Sequence, residues 1–203
     1  MALDVGPIGP DDLTGYGKLR LDLTPPVVRG LWPAPGESVS GVIHPRIQVI
    51  DAATLQGELM TLDGVPLPGG LAQPRIDTRL LPDGPHELDV TVTDMPGNSA
   101  ALKLPFVVDN TPPTVGTGAT TARSSSATGG AGQVTIHDAD PGPGYVVVTR
   151  DRTGGVFPKT TRDPIVFVGG VATLLLQGPG LFHLQAFDAA GNASRPITVR
   201  LPA

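Results

Sequence analysis

Leu88-Asp-Val-Thr-Val-Thr-Asp94-Met-Pro-Gly97-Asn98 is the stretch that decides the fold, because its plan returns as Phe182-His-Leu-Gln-Ala-Phe-Asp188-Ala-Ala-Gly191-Asn192. In both, apolar and polar residues alternate and then meet Asp-X-X-Gly-Asn. Period-two alternation lays one face of an extended strand against a core. The turn that follows needs Asp and Asn to satisfy backbone groups and Gly to supply a positive φ. Asp94 and Asp188 stand 94 residues apart, about one small β-sandwich domain. A second marker repeats as well, Leu23-Thr-Pro-Pro26 returning as Asn110-Thr-Pro-Pro113. A nearly constant period with in-phase alternation marks tandem copies.

Composition agrees. The 203 residues include 27 Gly and 23 Pro, a density that breaks helices and leaves short extended segments joined by turns. Hydrophobic residues reach 39% and the net charge is only −5, so the chain has enough apolar surface to fold. That charge, with scattered basic residues, argues against nucleic acid or an anionic membrane as the main partner. No apolar run approaches the length needed to span a bilayer. Cysteine is absent, which removes disulfides and thiolate metal sites. Met-Ala-Leu-Asp-Val-Gly-Pro at the start lacks the basic and apolar regions of a signal peptide, so an export signal is expected upstream of this chain.

The pattern predicts three segments: residues 1–20, a first sandwich over 21–110 and a second over 111–203. In the first, an edge strand around 27–32 precedes the turn Pro33-Ala-Pro-Gly36, and Arg46-Ile-Gln-Val-Ile50 alternates as a half-buried strand. Glu58-Leu-Met-Thr-Leu62, Asp63-Gly64 and Val65-Pro-Leu67 form a hairpin signal, since Asp-Gly suits a type I′ turn. Leu81-Pro-Asp83-Gly84 launches the strand 87–93, and 102–108 closes the copy. The second copy opens on the small-residue stretch 115–132, a weak strand with a long loop. Strands are expected over 133–137, 145–149, 164–168, 171–177, 181–187 and 197–201. About six or seven short strands per copy describe an all-β, immunoglobulin-like antiparallel sandwich of the fibronectin III-like kind.

Thr-Pro-Pro before each copy, the Leu62-Asp-Gly-Val-Pro66 hairpin, Leu81-Pro-Asp-Gly84 and the closing Asp-X-X-Gly-Asn together resemble the bacterial immunoglobulin-like domains strung along exported proteins. The resemblance covers about 180 residues and implies tandem modules of a secreted or cell-surface bacterial protein. The second copy departs from it, having Gly178-Pro-Gly180 where the first has Pro82-Asp-Gly84. The leading stretch is similar to something else. Asp11-Asp-Leu-Thr-Gly15-Tyr16-Gly17-Lys-Leu resembles the end of a subtilisin-like serine protease catalytic domain (the S8 family), but Arg20-Leu-Asp-Leu23 runs straight into Thr-Pro-Pro where that family has a last helix. The resemblance implies an upstream protease domain as partner. The family's nucleophile, Asp and His motifs have no counterpart here, so no catalytic residue carries over and the chain is expected not to be an enzyme.

Few residues suggest chemistry. His137, Asp138 and Asp140 with Ser124 would need a nucleophile–base–orienter geometry to form a triad, and a strand end passing into a solvated loop accounts for them. Isolated His44, His86 and His183, without cysteine, do not make a zinc set. Calcium, which prefers oxygen ligands from turns, is the better metal. Its candidate residues are Asp94 and Asn98 in the first turn with Asp109 and Asn110 at the junction; Asp188 and Asn192 repeat the turn with no third domain after them. The competing explanation is that Asp94 and Asn98 satisfy the backbone of their own turn. Among only eight aromatics, Phe106, Phe167 and Phe187 fit core positions, His183 faces outward, and Trp32 packs at a sandwich edge. The reading is a monomeric, non-catalytic accessory region for spacing, surface attachment or substrate binding, with protein or polysaccharide at the cell surface as partner. A calcium-stiffened stalk or adhesin segment and a carbohydrate-binding module are the alternatives.

Overall fold

The computed structural model describes residues 2–4, 19–116, 131–139, 142–151 and 159–202. Most of them are in antiparallel strands. The strands in chain order are β1 (Ala2–Asp4), β2 (Leu19–Leu21), β3 (Val27–Trp32), β4 (Ser38–Val39), β5 (Val42–Ile43), β6 (Arg46–Ile50), β7 (Leu55–Leu62), β8 (Val65–Pro66), β9 (Ile76–Asp77), β10 (Gly84–Asp94) and β11 (Ser99–Val108). They continue with β12 (Thr114–Gly116), β13 (Ala131–His137), β14 (Gly142–Asp151), β15 (Lys159–Phe167), β16 (Val171–Gln177), β17 (Gly180–Phe187) and β18 (Ile197–Leu201). Among the described residues a single 3-10 turn, Thr78–Leu80, interrupts them. No helix among the described residues is long and apolar enough to cross a membrane.

Two compact units form. The first takes residues 1–37, 42–80 and 84–107; the second takes 38–41, 81–83 and 108–203. In the first, β11, β10, β7 and β8 lie side by side in one sheet, with the pairs β3–β6 and β5–β9 beside it. The Asp-Gly hairpin forms as its residue types require. Asp63 has φ +49° and Gly64 φ +81°, the two left-handed residues of a type I′ turn, and Leu62 pairs with Val65. Alternation along β10 buries Leu88, Val90 and Val92 and leaves Asp89 and Thr91 on the other face. Met60, Leu62, Leu104, Phe106 and Ile76 join them in the core. Each such side chain taken out of water contributes about 1.5–3 kcal/mol.

The second unit is a sandwich of a three-stranded sheet, β12-β13-β16, and a four-stranded sheet, β15-β14-β17-β18. Val134, Ile136, Ala172 and Leu176 from the first sheet meet Val146, Val148, Ile165, Phe167, Phe182, Leu184, Ala186, Val199 and Leu201 from the second. Gly169 (φ +60°) and Gly170 (φ +78°) make the tight connection from β15 to β16. A Cβ on Gly170 would lie 2.7 Å from the Asp138 carbonyl oxygen, so only glycine fits there.

One expectation changes. Phe187 is not in the core: Phe182, Leu184 and Ala186 face inward, so position 187 falls on the outer face. There its ring stacks on Tyr145 at 4.6 Å, with the Arg162 guanidinium 3.4 Å from the Tyr145 centroid. Ala2–Asp4 pairs antiparallel with Leu19–Leu21, Ala2 opposite Leu21. The string Asp11 to Lys18, residues 117–130 of the small-residue stretch (Ser124 among them), and Asp140 lie outside the described residues.

Candidate functional site

The repeated turn is built as its sequence dictates. In the first unit, Asp94 Oδ1 accepts the backbone N–H groups of Gly97 (2.8 Å) and Asn98 (2.7 Å), and Oδ2 accepts Asn98 Nδ2 (2.8 Å). Gly97 sits at φ +96°, which a Cβ would oppose. In the second unit, Asp188 Oδ1 accepts Asn192 N (2.8 Å) and Oδ2 accepts Asn192 Nδ2 (2.9 Å), with Gly191 at φ +89°. The Asn amide then reaches further. Asn98 Nδ2 donates to the Asp22 carbonyl at 3.1 Å and Asn192 Nδ2 to the Asp109 carbonyl at 2.8 Å. Each turn therefore clasps the segment by which the chain enters its own unit.

Asp22 and Asp109 head those segments. Their Oδ1 atoms accept the N–H of Thr24 (3.0 Å) and Thr111 (2.9 Å), a turn that places the following prolines in extended conformation. A third carboxylate completes each group, just after β6 and just after β13. Asp22, Asp51 and Asp94 bring one oxygen apiece within 4.8 Å of one another, and so do Asp109, Asp138 and Asp188. The clusters are copies: Asp22 to Asp51 and Asp109 to Asp138 are both 29 residues, each starting from Asp-X-Thr-Pro-Pro. They differ in depth. Asp94 is buried while Asp22 and Asp51 are half-buried; in the second unit Asp109, Asp138 and Asp188 are 3%, 7% and 5% exposed.

Three carboxylates so close repel one another, and repulsion grows as water is excluded. Asp94 is relieved locally. Burial pushes its pKa up, but the Asn98 side chain and the Asn98 and Gly97 N–H groups outweigh burial and hold it below the ordinary carboxylate value. Asp51 is less completely satisfied: Oδ1 accepts the Ala52 N–H at 2.8 Å, while Oδ2 is buried with no hydrogen-bond partner. The donor set is all oxygen and all carboxylate, a hard set that suits a hard divalent cation. In the second unit a shallow cleft of about 430 Å³ adjoins the cluster, with Thr111, His137, Asp138 and Gly170 among its walls.

The four sequence-predicted metal residues therefore divide. Asp94 and Asn98 belong with Asp22 and Asp51; Asp109 belongs with Asp138 and Asp188; Asn110 donates its backbone N–H to Asp83 Oδ1 at 2.8 Å. The repeated turn stands where its unit begins, because the ten residues of β11 carry the chain away from it. Asp188 thus needs no following domain to sit in a complete cluster. Asp138 is a buried cluster member rather than part of a solvated loop. Asp22, Asp51 and the role of Asp138 escape a sequence reading that looks for ligands near one another; the shared 29-residue spacing from Thr-Pro-Pro is the signal that finds them. Among the other candidates, His183 faces outward, between Thr198 Oγ1 (3.0 Å) and Asp151 Oδ2 (3.2 Å). Trp32 is half-buried, and its indole N–H donates to Glu37 Oε1 at 3.2 Å.

No known family model matches the chain, and no curated protein matches it. Solved structures do resemble it in fold. The fibronectin(III)-like modules of CbhA from Clostridium thermocellum align over 86% of this chain and 92% of theirs, with 16% identity and a TM-score of 0.52. Latent PorU from Porphyromonas gingivalis aligns over 89% of this chain and 20% of its own, with 15% identity and a TM-score of 0.35. A tetra-tandem repeat from the extending region of a large adhesion protein aligns over 86% and 50%, with 17% identity and a TM-score of 0.35. At such identities the likeness concerns architecture, and the likeness to the CbhA modules agrees with the strand topology in making the chain a tandem of fibronectin III-like, immunoglobulin-like β-sandwiches.

Proposed function

We propose that the chain is a non-catalytic pair of accessory β-sandwich modules of an exported bacterial protein, acting as a spacer whose units are each stiffened by calcium at the end where the chain enters. The observation that carries this reading is the duplicated carboxylate cluster. Two copies of one module keep three acidic side chains in one place, the first two at the same 29-residue spacing, although the residues around them differ. Leu23, Ile50 and Met95 flank the first cluster, and Asn110, His137 and Ala189 flank the second. Calcium takes six to eight oxygens. Asp22, Asp51 and Asp94 would supply three of them in one unit, and Asp109, Asp138 and Asp188 three in the other, one carboxylate oxygen apiece. The ion would offset the carboxylate repulsion and tie the Thr-Pro-Pro segment to the strand ends after β6 and β10, or after β13 and β17.

The test is a thermal melt of the full chain with calcium and with chelator. A ligand at about a hundred times its Kd stabilises the folded state by about 2.7 kcal/mol, which raises Tm by several degrees in domains of this size. The expected result is a calcium-dependent rise that shrinks in Asp51→Asn and in Asp138→Asn. Superimposable melts would remove the ion from the account and leave a passive spacer.

The wider setting is inferred from the sequence and the fold. The accessory role is supported by architecture shared with the CbhA modules, and attachment behind a subtilisin-like catalytic domain by the string Asp11 to Lys18. An upstream reading frame with a Gly-Thr-Ser nucleophile motif is expected; a further sandwich repeat there would contradict the protease parent and favour a stalk or adhesin. Protein or polysaccharide at the cell surface is the partner class we infer for the exposed sheet faces.

A further inference from the structure

A cleft of about 560 Å³ opens in the first unit between the bend that joins β5 to β6 and the loop that leads into β9. One wall is His44-Pro45-Arg46-Ile47 and the other is Leu71-Ala-Gln-Pro74. The volume is ordinary for a small-ligand site. Its walls are held in place. Pro45 and Pro74 are buried, and each fixes its own φ and keeps the residue before it extended, which sets the backbone of His44 and Gln73. His44 Nδ1 donates to the Pro74 carbonyl at 3.1 Å and ties the walls together. A carbonyl only accepts, so the neutral ring keeps Nε2 as an acceptor. Glu58 Oε1 accepts the Leu71 N–H at 3.1 Å and anchors the loop. Charge sets the cleft apart. Arg75 turns to Asp77 at 4.0 Å, whereas the exposed Arg46 guanidinium has no ion pair and no hydrogen bond among the described residues. The sandwich itself does not require this set. Counted back from Asp138 as His44, Pro45 and Arg46 are from Asp51, the second unit has Ala131, Gly132 and Gln133.

We propose that this cleft binds the C-terminal end of a protein chain, taking its carboxylate and an apolar last side chain. The Arg46 fork matches a carboxylate with two parallel N–H donors. His44 Nε2 accepts the last backbone N–H of the bound chain, and Pro45, Ile47 and Leu71 cover its side chain. A sugar acid carries the same carboxylate, but no Trp, Tyr or Phe lines the cleft for a sugar ring to stack on. Aliphatic walls favour the peptide. The proposal rests on the reading of a surface protein as partner and is independent of calcium.

Trp32, the one tryptophan of the chain, stands opposite Arg46 in the β3–β6 pair, so its fluorescence reports on the cleft. Titrating the full chain in chelator with N-acetyl-alanyl-leucine, up to millimolar concentrations, is expected to give a saturable change that calorimetry reproduces. Arg46→Gln is expected to weaken binding at least about tenfold, as loss of a charge-assisted pair does. The C-terminal amide of the same peptide should bind the unaltered chain as weakly, a comparison that stands even if Arg46→Gln does not fold. No saturable binding by either method would overturn the proposal, as would equal affinity for acid and amide or a folded Arg46→Gln with unchanged affinity. Glucuronate binding as tightly as the peptide would overturn it too, and would turn the partner reading to polysaccharide. Peptide binding without a calcium-dependent melt would keep the cleft and remove the stiffened spacer; the opposite pair of results would keep the spacer and remove the cleft.

Discussion

Asp94 and Asp188 each commit both carboxylate oxygens to their own turn and, through one Asn amide, to a backbone carbonyl far away in sequence. Losing such a carboxylate leaves buried donors unmet. Asp188→Ala is expected to destabilise the second unit by about 2 kcal/mol, read from the urea midpoint in chelator so that no ion contributes. Gly97→Ala, forced into the left-handed region, is expected to cost about 1–2 kcal/mol in the first unit. Acid acts at Asp94, whose pKa is held low, and at other residues. The Thr111 hydroxyl and the Asn110 N–H lower the Asp83 pKa; at Asp63 burial pushes it up, but the Glu87 N–H and His86 outweigh it. A carboxylate whose folded pKa is depressed adds stability above its unfolded value of about 3.9, and that stability is lost as pH falls through the folded pKa. The urea midpoint should therefore hold from neutrality down to about pH 5 and drop below about pH 4. Asp83→Asn should start lower and drop less. A midpoint that rises on acidification would contradict these assignments.

Among the elements, the readable ones are those whose pattern is local. Arg46–Ile50 and Ile197–Leu201 are strands from end to end, and Asp63-Gly64 makes its hairpin, because alternation and a left-handed dipeptide each act within a few residues. Gly64→Ala is expected to cost about 1 kcal/mol, measured by thermal unfolding, with the hairpin register kept. Phe187 shows the limit of composition: a large aromatic at the end of an alternating strand takes its face from parity, and its parity is that of His183. The clusters show another limit. Asp22, Asp51 and Asp94 sit on three separate elements, and only the pairing of β3 with β6 and β7 with β10 brings their ends together. Sequence proximity favours Asp109 with Asn110 instead, whereas the fold turns Asn110 to Asp83.

At the scale of the whole molecule, two units repeat one design: a clasped incoming segment, a core between sheets and an acidic cluster beside the clasp. Their acidic ends differ in burial, so the half-buried first cluster and the buried second should differ in calcium affinity, the more enclosed site releasing its ion more slowly. The central claim is that each unit holds an ion with its own three carboxylates. A calcium titration of the full chain by calorimetry near neutral pH tests it most directly. The account expects two ions per chain, one after Asp51→Asn or Asp138→Asn alone, and none after both. No saturable binding, or binding unchanged in the double variant, would contradict it.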